Sequence, residues 1–169
     1  VTADKTAARA LLAQAGWNAE NLPVLRFAST GGSDMQGVFE QLRSDLVQHL
    51  DWPLAKVQWE SFPNFGAYND AINNGQLMLM DVGWRLDYPD ALNTLQLFYG
   101  PYAPPQINAG GYRNPQFDAW YEQAQALPPG PQRAALAQQM NRLLIDDCAF
   151  LGGYARSALM LWRKNALVY

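Results

Sequence analysis

The sequence predicts an α/β domain, a largely parallel central sheet flanked by helices. Strand-like and helical segments alternate as β-α-β-α-β between residues 24 and 84, the order that a parallel sheet with helical crossovers requires. The 169 residues suit a single domain, 1–169, that buries roughly two-thirds of its unfolded surface. About half of them are hydrophobic and 16% are charged, a composition that sustains a core and argues against disorder.

The elements follow in order. Residues 4–17 set Ala8, Leu11, Leu12 and Ala15 on one helical stripe, with Gly16 placed to end it. After Pro23, the run Val24-Leu-Arg-Phe-Ala-Ser29 reads as a strand broken by Thr30-Gly-Gly-Ser33. Ser33 and Gln36 fit a capping box, and Met35, Phe39, Leu42 and Leu46 recur at helical spacing as far as His49. In the second strand, Lys56-Val-Gln-Trp-Glu-Ser-Phe62, Val57, Trp59 and Ser61 share one face and Gln58, Glu60 and Phe62 the other. Asn64 starts a helix that buries Tyr68, Ala71 and Ile72 and stops at Asn73-Asn-Gly75, and residues 76–84 read as a buried third strand.

Beyond the third strand, Asp87-Tyr-Pro-Asp90 is a turn, Asp90 caps a helix over residues 91–98, and residues 99–108 are a Pro-rich loop of the kind that carries function. Asn114-Pro115 opens a helix with the stripe Phe117, Trp120, Tyr121 and Ala124. Pro128-Pro-Gly-Pro131 separates it from another, lined by Leu136, Met140, Leu143 and Leu144. Residues 149–154 and 158–162 read as closing strands.

Composition narrows the function. A net charge of −3 with no Lys/Arg cluster lacks the basic footprint of a nucleic-acid binder. The longest apolar runs, such as Gln76-Leu-Met-Leu-Met80, are too short to cross a bilayer, and a soluble chain is expected. Cys148 stands alone, so it forms neither an internal disulfide nor a structural zinc site and is expected to pack as a small hydrophobe. His49, the one histidine, lies near a helix end without grouped ligands or a nucleophile, which disfavours a metal site or a catalytic triad. No cofactor is expected. Six Trp and eight Tyr suit a core, and equally a cleft that grips apolar or planar groups.

Four ordered segments resemble the carboxy-terminal part of the family-5 extracellular solute-binding proteins, the dipeptide- and oligopeptide-binding type. They are Ala7-Ala-Arg-Ala-Leu-Leu-Ala-Gln-Ala-Gly-Trp17, Gly83-Trp-Arg-Leu-Asp-Tyr-Pro-Asp90, Gly111-Tyr-Arg-Asn-Pro-Gln-Phe-Asp118 and residues 133–147. The resemblance implies one lobe of a type II periplasmic-binding-protein fold, with the amino-terminal lobe outside this chain. It further implies a monomeric, non-enzymatic receptor, periplasmic or anchored outside a single membrane, that delivers a peptide or other small solute to the permease subunits of an ABC importer. In peptide-binding members an acidic residue shortly after the Gly-Trp pair meets the peptide's α-amino group, and Asp87 holds that position. Trp84 and Tyr88 are then expected to wall the pocket, and Tyr112 to neighbour the ligand.

The chemistry is independently sound, because a carboxylate in a partly dry cleft is a strong partner for an ammonium. Competing readings remain at this stage. Asp81, Asp87 and Asp90 admit a hydrolase that works through paired carboxylates. The loop over residues 99–108 admits a protein-interaction module. Thr30-Gly-Gly-Ser33 lies between a strand and a helix, where anions bind, although a tight turn also explains its glycines.

Overall fold

Three parallel strands form the sheet in this computed structural model, which describes residues 4–30 and 33–152, with the backbone alone at Ser33 and Asp34. β1 (Leu25–Ser29) is central, β2 (Val57–Ser61) lies on one edge and β3 (Leu79–Met80) on the other. β1 pairs with β2 along its whole length, from Leu25↔Val57 to Ser29↔Ser61, and with β3 at Phe27↔Leu79 and Ala28↔Met80. The parallel sheet read from the sequence is therefore present.

Alternation along the strands assigns the two faces. Leu25, Phe27, Val57 and Trp59 join Leu22, Phe39 and Trp52 in one apolar cluster beneath α2 (Ser33–Leu50). Ala28, on the opposite face, meets Tyr68 and Ile72 of α3 (Phe65–Asn73), with Phe62, Leu77 and Met80 packed around them. Asn64 caps α3 by accepting from the Ala67 N–H at 2.9 Å, and Gly75 follows it at φ +62°, a conformation open to glycine at little cost.

α1 (Lys5–Gln14) is capped by Asp4 and docks on the far end of α2. Arg9 pairs with Asp51 at 3.0 Å and donates to the His49 carbonyl at 2.7 Å, while Lys5 Nζ lies 2.7 Å from His49 Nε2. Its expected stripe is only partly used. Leu12 packs inward, but Leu11 is 65% exposed, because the helix touches the body along a narrow line.

The third strand is much shorter than the sequence suggests. Of residues 76–84 only Leu79 and Met80 pair with β1, and Met78, Leu79 and Val82 are substantially exposed. A continuous apolar run normally marks burial on both faces, yet this one lies at the sheet edge and feeds an open loop. The helix expected over 91–98 is a short α4 (Leu92–Leu95) that tightens into a 3₁₀ turn at Gln96–Phe98.

α5 (Pro115–Ala126) and α6 (Pro131–Asp146) pack against α4 in a separate core of Leu92, Leu95, Phe117, Tyr121, Ala124, Leu136, Met140 and Leu144. The predicted stripes match, with Trp120 and Leu143 at the rim. α6 closes at Cys148, where φ is +52° and the Ala149 N–H donates to the Leu144 carbonyl at 2.9 Å. Cys148 is consequently exposed, a correction to its expected packing, because the left-handed turn aims its side chain outward.

Residues 149–152 form no strand, and the rest of the two proposed closing strands lies outside the described residues, as do Gly31, Gly32 and the side chain of the Ser33 capping box. Among the described residues no helix is long and apolar enough to cross a membrane.

Two positions on α6 test the helical core. Met140→Ala should destabilise the chain by about 2–5 kcal/mol, since Met140 is fully buried, whereas Ile145→Ala, half exposed, should cost less than about 0.5 kcal/mol. Urea unfolding of the two variants checks the difference.

Candidate ligand site

The strand order β2-β1-β3 puts a topological switch between β1 and β3, because the crossover from β1 goes to one side and the next returns to the other. In open parallel sheets ligands settle at the carboxyl ends of the strands beside such a switch. Residues 81–90, the continuation of β3, lie there, and the sequence-predicted Trp84, Asp87 and Tyr88 are within them.

The loop is fastened at both ends. At its start the Asp81 N–H reaches the Ala28 carbonyl at 3.3 Å, and the Tyr68 hydroxyl donates to the Asp81 carbonyl at 2.8 Å and, at 3.3 Å, to that of Ala28. Burial and the nearby Asp81 charge push the Tyr68 phenol up to about 12, so this donor keeps its proton. At the far end Asp90 pairs with Arg133 of α6 at 2.9 Å, with both side chains about four-fifths buried, and accepts from the Leu92 N–H at 2.8 Å.

The centre of the loop is organised by Asn93, a residue the sequence reading missed. Asn93 is 1% exposed. Its Oδ1 accepts from the Trp84 indole N–H at 2.9 Å and from the Asp87 backbone N–H at 3.1 Å, while its Nδ2 donates to Asp87 Oδ2 at 3.2 Å. One buried amide therefore brings Trp84 and Asp87 together. The available signal was a polar residue between Leu92 and Leu95 on a short helix, a pattern that a buried amide shares with many surface positions.

Asp87 is exposed and forms no ion pair among the described residues. Trp84 is 43% and Tyr88 52% exposed, so both rings are open to a ligand at the surface. Two shallow depressions, of about 250 and 770 Å³, lie instead between α2 and β2 around Glu40, Arg43 and Leu54, and include no residue of the 81–90 loop. Among the described residues no group of three or more His, Cys, Asp or Glu is arranged to hold a metal ion.

Tyr112 belongs to a different set of contacts. Its ring stands edge-on to Phe98 and Phe117, and its hydroxyl donates to Asp147 Oδ2 at 2.6 Å, beside the Asn114 amide at 2.9 Å. These bonds tie the start of α5 to the end of α6. Asn108, fully buried, holds the segment from below by donating to the Tyr99 and Tyr112 carbonyls.

The fold has solved counterparts. The Escherichia coli murein tripeptide binding protein MppA superposes with a TM-score of 0.76 at 19% identity, over 86% of this chain and 27% of that one. DppA from Helicobacter pylori, an ABC transporter-associated periplasmic binding protein in complex with the peptide STSA, gives 0.72 at 22% identity, over 86% and 28%. OppA of Haemophilus influenzae, in complex with the peptide RPPGFSPFR, gives 0.72 at 19% identity, over 85% and 27%. The chain has the fold of the matched part of these type II periplasmic binding proteins. It spans little more than a quarter of the length of these proteins. No family model matches it, and no curated protein does.

The Tyr112–Asp147 bond sets a pH dependence of opposite sign at the two partners. Hydrogen bonds from Tyr112 and then Asn114 lower the Asp147 carboxyl from its usual 3.8, so its stabilising contribution is complete above that value and is lost as pH falls through the lowered one. Burial first, then the bond to Asp147, raises Tyr112 from 10.0 to about 12, so its contribution holds below pH 10 and is lost as pH climbs through 12. Tyr112→Phe should bring the Asp147 titration back up towards 3.8, as read by carboxyl-carbon NMR.

Proposed function

We propose that this chain is the carboxy-terminal lobe of a solute-binding protein of an ABC importer, and that Asp87 receives the free amino group of a peptide or similar amine-bearing solute. The observation that carries the proposal is the state of Asp87 itself. It belongs to the loop that leaves the carboxyl end of β3, is exposed, has no cation neutralising it among the described residues, and shares Asn93 with the exposed Trp84, with the exposed Tyr88 next in sequence. A charge so placed gains most from an ammonium that arrives with a ligand and is shut away from water.

The second lobe supplies that exclusion. In the whole receptor the cleft closes on the ligand by a hinge motion, and ligand contacts to both lobes stabilise the closed state. Trp84 and Tyr88 then line the wall against side chains of varied shape, which suits a receptor that anchors the amino end and tolerates different residues beyond it. Such a receptor works outside the cytoplasmic membrane, in a periplasm or tethered to the cell surface, and passes its solute to permease subunits without altering it. The neighbours in solved structures are binding proteins, two of them in complex with peptides, which supports this class over an enzyme.

Two geometric points weigh against the competing readings. Asp90 is occupied by Arg133 and the Leu92 N–H, so the three aspartates do not form a free acidic cluster for hydrolysis. The 99–108 loop is held on α5 at its start, by the Tyr99 ring stacked on Tyr121, the Tyr99 hydroxyl donating to Glu122 at 2.7 Å and the Gly100 N–H donating to Asp118 at 2.8 Å, rather than standing free as an interaction arm.

Calorimetry of the full-length receptor with trialanine and N-acetyl-trialanine tests the proposal. The free amine should bind at least about tenfold more tightly, and Asp87→Ala should abolish the difference. The lobe alone should bind neither measurably, since water screens Asp87 when the opposite wall is missing. Equal affinity of the wild-type receptor for both peptides would sink the amine assignment.

A further inference from the structure

We infer that Asn93 is a positioning residue for the ligand's amine: it aims the Asp87 carboxylate and thereby sets how strongly the receptor prefers a free amino group. The inference rests on the amine-anchor reading of Asp87 and adds the residue that makes that anchor selective.

The geometry argues for more than a loop staple. Asn93 uses both lone pairs of Oδ1, on the Trp84 indole and the Asp87 N–H, and spends an amide proton on Asp87 Oδ2. Its backbone is engaged as well, the N–H with the Asp90 carbonyl at 3.1 Å and the carbonyl with the Gln96 amide at 2.9 Å. Residues 84, 87, 90 and 96 are thus referred to one buried residue. Asp87 lies in a loop without regular structure, where an exposed carboxylate would sample several rotamers. Holding Oδ2 restrains the carboxylate and leaves Oδ1 without a partner among the described residues, so that a ligand's ammonium would meet it in one orientation. Because the same amide holds the Trp84 indole, the acid and the aromatic wall keep one relative orientation. Preorganisation of this kind removes an ordering cost from binding and restricts it to ligands whose ammonium meets the carboxylate where it stands.

Asn93→Asp separates positioning from mere support. The replacement keeps shape and the oxygen that accepts from Trp84 and Asp87, so the loop retains its fastening. Once ionised it exchanges the donor facing Asp87 Oδ2 for a second acceptor, which drives the two carboxyl groups apart, so binding is measured above the pH at which the pair shares a proton. If charge alone governed recognition, the added acid would tighten amine binding. If placement governs it, binding loosens.

In the full-length receptor the affinity ratio of trialanine to N-acetyl-trialanine should fall about tenfold in N93D, roughly the weight of one hydrogen bond to a charged group. The acetylated peptide's affinity should stay within about twofold, and in an Asp87→Ala background N93D should leave the ratio unchanged, as a double-mutant cycle requires for coupled neighbours. Asn93→Ser, uncharged and also lacking the amide donor, should move the ratio in the same direction, so a fold defect in one variant leaves the other decisive. A ratio that is unchanged or higher in a folded variant overturns the positioning role while leaving the amine anchor intact. A wild-type ratio of one removes the anchor itself, and the positioning role with it.

Discussion

The fold depends on β1, the strand of this sheet that is hydrogen-bonded on both edges, and above all on its fully buried Ala28. Ala28 is small enough for Tyr68 to lie close over it, and its carbonyl receives both the Asp81 N–H and the Tyr68 hydroxyl. A backbone carbonyl at the centre of a sheet must find donors, and here the donors are the first residue beyond β3 and the helix beneath it. The site loop starts from that junction, so the place where the chain leaves the sheet is determined by core packing. A larger residue at 28 would lift Tyr68 and release Asp81 in the same movement.

From that point the chain passes from one core to another. The sheet holds two clusters, one on each face, while α4, α5 and α6 build a third that shares no buried residue with them. Residues 81–90 bridge the sheet and the helical core, with Tyr68 gripping one end and the Asp90–Arg133 pair and Asn93 the other. Most ion pairs on a protein surface contribute little, but this one is largely sheltered and its partners sit on separate elements, so it fixes geometry whatever its net energy. A loop held at both ends by packed elements behaves more like part of the scaffold than like a free loop.

Legibility in the sequence followed the range of the interaction. Caps and stripes are local, and Asn64, Asn114, Pro115 and the apolar positions of α3, α5 and α6 lie where their spacing puts them. β3 is shorter than its apolar run suggests because an exposed edge strand and a strand buried on both faces are both written as apolar runs, and only the tertiary neighbours differ. Leu11 failed for the same reason in a helix: the stripe is real, but the body covers only part of it. Within the candidate site, Trp84, Asp87 and Tyr88 were legible as a contiguous motif. Asn93 and Arg133 were not, since their roles come from contacts to Asp87 and Asp90 that form only once the helical core has folded.

β3 and the bridge that follows it expose their apolar residues together. Met78, Leu79, Val82, Trp84, Leu86 and Tyr88 are each between 39% and 58% exposed, and all belong to one short segment. Scattered exposed hydrophobes are ordinary, but a run of this density on one segment is what interaction surfaces display. On the proposed reading, the run and an Asp87 without an ion-pair partner among the described residues are two consequences of being half of a cleft. Apolar surface favours closure, because burying it against a ligand and an opposite lobe releases water. The carboxylate opposes closure unless a cation comes with the ligand, because stripping its water without a partner is costly. An empty cleft is therefore held open by the same residue that stabilises a filled one, and selectivity for an amine becomes a condition on closing as well as on binding.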